Sequence, residues 1–334
     1  MAQASHTISL VKRGNDVLHD PVRNKGEGFT HKERQPIHEQ RMAEITVERR
    51  DGFGGIQDQD LLAVEEALEI RLGYGTAEER VHKSITVTMR TPGCDQELAA
   101  GFLFAEGIVG CPEDIVSIRH CGPPAGPLRL YNVVRIEVTP WANIDASRLE
   151  RNFLSTSSCG LCGKASLETL PTLHRTQLPE DFVVETSVIH HFPDTLRRAQ
   201  TVFDSTGGLH AAALFDRVGQ LHDVKEDVGR HNAIDKLIGR QFLDGRVPLS
   251  DRVLLVSGRV GFELVQKAIV AGIPFLAAIG APSSLAVDLA RDANMTLVGF
   301  VRDGRFNVYS APQRICDKTD DHKKTSNPAG VPHL

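Results

Sequence analysis

Apolar residues change their spacing near the middle of this chain. In the first half they come in short runs that predict strands at residues 45–48, 68–72, 85–89, 115–118 and 133–138. Turn-rich segments such as Cys121-Gly122-Pro123-Pro124 separate them. One helix interrupts the series at 95–106, with Leu98, Phe102 and Ala105 at helical spacing after the turn Thr91-Pro92-Gly93. The pattern predicts an α+β domain.

The second half has another rhythm. Residues 209–215 and 221–224 predict a hairpin around Gly219, and 232–242 a helix with Ile234, Leu237 and Ile238 on one face. Unbroken apolar runs at 253–256 and 274–279 predict strands buried on both faces, with a helix at 263–270 between them. A helix over 285–290, with Ser283 or Ser284 as its N-cap, and strands at 296–301 and 306–309 complete the series. Alternating strands and helices predict a three-layer α/β sheet with several parallel strands, which binds ligands beyond the carboxyl ends of its strands.

At 334 residues the chain is long enough for two domains. The boundary falls between Leu170 and Thr186, giving an α+β domain over 41–175 and an α/β domain over 176–316. Residues 1–40 and 317–334 are polar without sustained apolar period, and disorder is expected in both. The net charge of −5, with both signs interspersed, argues against a general nucleic-acid surface. No run approaches the roughly 18 to 20 apolar residues of a membrane span, and the polar start lacks the apolar core of a secretory signal. A cytoplasmic protein is expected. Its six cysteines are too sparse for a disulfide framework.

Two of them carry candidate chemistry. Cys159 and Cys162 form a C-x-x-C flanked by Gly160, Gly163 and Lys164. The glycines allow a tight turn with uncovered sulfurs, and Lys164 with a helix starting near Ala165 would lower a thiol pKa. Such a thiolate can hold a sulfane sulfur as a persulfide. Three other readings stay open: a zinc knuckle, although no second C-x-x-C or H-x-x-x-H accompanies the pair; a thiol–disulfide redox module; and two thiols in a structural turn. Cys94, Cys111 and Cys121 read as buried or incidental thiols, and Cys316 lies at the edge of the tail.

Small turns in the second half supply backbone amides: Thr206-Gly207-Gly208, Ser257-Gly258-Arg259 and Gly280-Ala281-Pro282-Ser283-Ser284. Read as strand-to-helix turns, they suit a phosphate at helix N-termini, with Arg259 adding a charged contact. Turn geometry alone is the competing explanation. No G-x-G-x-x-G or Walker A pattern occurs. Asp227-Val228-Gly229-Arg230-His231-Asn232 is the densest polar cluster, open to a ligand role or to capping and salt bridging. His190-His191 reads as an exposed pair.

Several of these motifs together, with Met89-Arg90-Thr91-Pro92-Gly93 and Glu97-Leu98-Ala99-Ala100-Gly101-Phe102-Leu103, resemble the formate dehydrogenase accessory sulfurtransferases. They are Thr156 through Lys164 around the cysteine pair, Thr206-Gly207-Gly208-Leu209-His210-Ala211-Ala212, Glu226 through Ala233, and Ser257-Gly258-Arg259. The likeness runs in order from about Ala43 to Pro312. It implies a homodimeric sulfurtransferase that accepts sulfur from a cysteine desulfurase and delivers it to the molybdenum bis-molybdopterin guanine dinucleotide cofactor of formate dehydrogenase. By the same resemblance Cys159 bears the persulfide, Cys162 is an auxiliary thiol, and the cofactor-binding stretch is Phe300, Val301, Arg302, Asp303, Gly304 and Arg305. On the bare sequence that stretch is also the turn of a terminal hairpin. The resemblance implies a cytidine-deaminase-like fold for the α/β domain, yet the H-x-E and P-C-x-x-C of zinc deaminases are missing, since Ala211-Ala212 follow His210. The chain departs from the family in its polar N-terminal extension and in Gly261-Phe262.

Overall fold

The structure, a computed structural model, describes residues 41–52, 54–126, 128–142, 144 and 177–317. It opens with a two-stranded antiparallel ribbon, β1 (Met42–Asp51) against β2 (Gly54–Ala63). The ribbon is longer than the strand expected at 45–48, because its charged, glycine-bearing tip carries no apolar alternation. Strands β3 (Glu66–Gly75), β4 (Arg80–Arg90), β5 (Ile115–His120) and β6 (Val133–Val138) form a sheet in the order β4-β3-β6-β5. Its inner face buries Leu68, Ile70, Leu72, Val134, Ile136 and Val138. Helix α1 (Asp95–Ala105) contributes Leu98 and Leu103 to the same core.

The second half begins with β7 (Val184–Glu185), α2 (Thr186–Ala199) and α3 (Thr201–Thr206). Then follow β8 (His210–Phe215), β9 (Leu221–Asp227), α4 (Arg230–Leu243), β10 (Val253–Val256), α5 (Phe262–Val270), β11 (Phe275–Ala278), α6 (Ser284–Asp292), β12 (Thr296–Arg302) and β13 (Arg305–Ser310). A short β14 (Ile315–Cys316) runs parallel to β7. The six-stranded sheet has the order β13-β12-β11-β10-β8-β9, parallel from β10 to β12 and antiparallel elsewhere.

The unbroken apolar runs are explained by burial on both faces. Ala212, Leu214, Leu254, Val256, Leu276 and Ala278 share a core with Ile234, Leu237, Leu264 and Val265 of α4 and α5. The alternate residues Ala211, Ala213, Phe215, Val253, Leu255 and Phe275 pack with Ile189, Phe192 and Leu196 of α2. Helices therefore cover both sides of this sheet.

One hydrophobic core runs from the four-stranded sheet through α1 and α4 to the six-stranded sheet. The two helices cross closely: a Cβ on Gly101 would collide with the carbonyl oxygen of Asp235, and one on Gly239 with that of Glu97. A buried polar clasp stands beside the crossing. Asp227, fully buried, pairs with Lys236 at 2.7 Å, and accepts from the backbone N–H of Thr91 at 3.1 Å and of Gly229 at 2.8 Å. Lys236 donates to the Thr91 carbonyl at 2.7 Å, and Asn232 Nδ2 donates to the Met89 carbonyl at 2.7 Å. Much of the polar cluster at 227–232 is thus a tie between the halves, with every buried charge partnered.

Candidate functional site

The carboxyl ends of β10, β11 and β12 and the start of antiparallel β8 meet at one end of the six-stranded sheet. A cleft of about 490 Å³ opens there. Its floor is His210, Ser257 and Ile279, each at a strand end, and its wall is Pro193 and Arg197 of α2 with Phe203 of α3. The pairing of β8 with β10 fixes Ser257: its Oγ accepts from the Ala211 N–H at 2.9 Å, and its N–H donates to the Ala211 carbonyl at 3.0 Å. Arg197 lies 4.6 Å from the Phe203 ring centroid and bonds Asp204 at 3.2 Å. Gln200, 5% exposed, also lines the cleft.

His210 is half-buried against Gly258, whose lack of a Cβ makes room for the ring. Burial holds its imidazole below the ordinary range, and the Arg230 and His231 charges add to this more than Asp227 offsets. A neutral ring at pH 7 offers one donor and one acceptor nitrogen. His231 pairs with Glu263 at 3.0 Å. The Arg197 guanidinium and a neutral imidazole suit an anionic ligand with hydrogen-bonding groups.

Two turns anticipated as phosphate sites, Ser257-Gly258-Arg259 and Gly280 through Ser284, do lead from strands into α5 and α6. Several of their amides are already engaged: Gly280 N–H donates to Gly258, Val260 N–H to Ala281 and Ser283 N–H to Val260. Thr206-Gly207-Gly208 differs from the expectation. It leads from the C-terminus of α3 into β8, with Gly207 as a left-handed cap at φ 66°, so it lacks the positive end of a helix dipole.

The stretch 300–305 forms the end of β12 and its turn into β13. Asp303 and Gly304, at φ 53° and 68°, make the two-residue turn between paired Arg302 and Arg305. Phe300 and Val301 sit in the register shift between Gly299 and Arg302, with Phe300 at φ 56°. The Phe300 N–H donates to the Gly280 carbonyl at 3.1 Å, so the stretch starts beside Ile279 of the cleft.

The FdhD/NarQ family model matches residues 63–316. The chain belongs to the FdhD/NarQ family. Among the relatives of this FdhD/NarQ chain, the sulfur carrier protein FdhD of Streptomyces avermitilis is 52% identical over 259 residues, covering 77% of this chain and 89% of that protein. Those of Mycobacterium tuberculosis and Sulfurisphaera tokodaii are 49% and 42% identical, each spanning 77% of this chain and 92% of the relative. A crystal structure from Desulfotalea psychrophila, assigned as a formate dehydrogenase accessory protein, superposes with a TM-score of 0.65 at 24% identity. It covers 83% of this chain and all of that one, and it supports the fold. The matched region of this FdhD/NarQ member begins where the β1–β2 ribbon ends.

Cys159 and Cys162 lie outside the described residues, as do residues 1–40 and 318–334. Among the described residues no group of three or more His, Cys, Asp or Glu is arranged to hold a metal ion, and no helix is long and apolar enough to cross a membrane. His191 is exposed and bonds the Ser187 carbonyl, whereas His190 is partly buried 5.3 Å from the Phe306 ring. The cleft wall of Pro193, Arg197, Gln200 and Phe203 was not legible as a site. Ile189, Phe192 and Leu196 do carry a helical period, but Pro193 inside it argues locally against a helix.

Proposed function

We propose that this protein takes sulfur from a cysteine desulfurase as a persulfide on Cys159. It then passes the sulfur to the molybdenum bis-molybdopterin guanine dinucleotide cofactor of formate dehydrogenase. The reading rests on membership of a family whose relatives are named sulfur carrier proteins. One observation carries the cofactor half: a cleft at the parallel strand ends gathers Ser257, His210 and Arg197 beside Gly280, where the 300–305 stretch begins. Such a cleft suits the phosphates and polar base edges of a guanine dinucleotide. In this reading Cys162 assists the carrier thiol, the deaminase-like half over 176–316 holds the cofactor, and the protein works as a cytoplasmic homodimer.

Cys159→Ala should lose both the added sulfur, seen by intact-protein mass spectrometry after incubation with a desulfurase and cysteine, and formate dehydrogenase activation. Full activation by that variant would overturn the reading. Replacing Arg302 and Arg305 together with Ala should weaken binding of guanosine diphosphate about tenfold while Cys159 still takes up sulfur. Unchanged binding removes the stretch from the cofactor site.

A further inference from the structure

The outer face of the four-stranded sheet carries three arginines side by side. Arg71 of β3 pairs across the ladder with Arg135 of β6, and Arg135 with Arg119 of β5, so all three project from one face in one row. Like charges directly opposite each other on adjacent strands disfavour the sheet. Only part of this charge is neutralised within the fold. Glu69 takes two hydrogen bonds from Arg71, at 2.9 and 2.8 Å. Glu137 alone serves Arg135 at 3.0 Å, Arg80 at 3.0 Å and His82 at 2.9 Å. Arg119, exposed, has no carboxylate partner among the described residues.

Two observations narrow what could cover this face. Beside the row, β4 shows Val87 and Met89 to solvent, 39% and 49% exposed, on the side of the sheet that Glu69 shares. No residue of the row or of this apolar flank belongs to a core cluster of the described residues. Arginine and methionine beside apolar surface are the composition of protein interfaces. The net charge of −5 opposes a general polyanion site, and the apolar flank of Val87 and Met89 has no counterpart in a phosphate backbone.

We propose that this face docks an acidic protein segment, whose carboxylates complete the Arg119–Arg135–Arg71 row while an apolar residue covers Val87 and Met89. Carboxylates would meet these guanidinium groups as charge-assisted, planar pairs. The inference stands on the sheet alone, away from the cleft, and goes beyond the sulfur-transfer reading.

The test uses the full chain and a fluorescein-labelled peptide of alternating aspartate and leucine, followed by anisotropy at low and at physiological salt. Saturable binding that weakens with salt is expected, reduced at least tenfold by Arg119→Glu and much less by Arg119→Lys. An unchanged thermal melt of Arg119→Glu confirms that the exposed change leaves the fold intact. Equal peptide binding by wild type and Arg119→Glu overturns the proposal. So does an Arg119-dependent response to duplex DNA or to phosphatidylglycerol vesicles that the peptide does not produce. Because Cys159 is untouched, sulfur uptake is an independent readout, and failure here leaves the proposed function standing.

Discussion

Asp95 shows how one residue can bind distant parts of this chain. Its buried carboxylate accepts from Arg90 Nε and Nη2, both at 2.9 Å, and contacts His120 Nε2 at 3.0 Å. Burial would raise its pKa, but the hydrogen bonds from His120 and Arg90 outweigh this and hold it below the usual carboxylate range. Being lower in the folded than in the unfolded chain, it adds stability that is complete above about pH 4 and is lost as the pH falls through the folded value. Arg90→Met takes away its bidentate partner, leaving only His120, and should cost about 3–5 kcal/mol in urea unfolding at pH 7. The penalty should shrink as the pH falls far enough to protonate Asp95. A pH-independent penalty would show that Arg90 acts through packing and its bonds to Glu66 and Asn132 rather than through Asp95.

At the scale of elements, the α1–α4 crossing decides how closely the halves approach. Gly101→Ala or Gly239→Ala puts a methyl group against the partner helix backbone, where neither side has a flexible end to move. Each should destabilise by about 3 kcal/mol, seen as an earlier thermal midpoint. The glycines look unremarkable in sequence, since both lie inside helices where the residue is simply unfavourable. Ser283 shows the opposite case. Of the two serines expected as caps, Ser283 takes the position, its Oγ accepting from the Ala286 N–H at 3.3 Å, and Ser283→Ala should cost about 1 kcal/mol. A cap is a local device and is therefore readable locally.

For the whole molecule, a continuous core and a buried clasp join two halves that the sequence pattern separates. Calorimetry of the full chain should show one cooperative transition across both sheets. Lys236→Met, which leaves Asp227 buried without its counter-charge, should lower that transition as a unit. Two resolved transitions in the wild type would contradict the coupling.

The strands and helices from Glu66 onward were mostly legible because their apolar period reports burial on one face or on two. Helices α2 and α3 were not, since Pro193 and polar neighbours mask the stripe that only the Ala211 side of the sheet completes. The cysteine pair and the family resemblance were likewise set by local motifs in order along the chain. Tertiary structure alone decided that Thr206-Gly207-Gly208 follows a helix C-terminus. It alone turned much of the 227–232 cluster into a clasp, and brought Arg197, Gln200, His210 and Ser257 to one cleft. The physical reason is range: periodicity, caps and turns act over a few residues, whereas a cleft, a helix crossing and a buried ion pair join residues far apart in the chain.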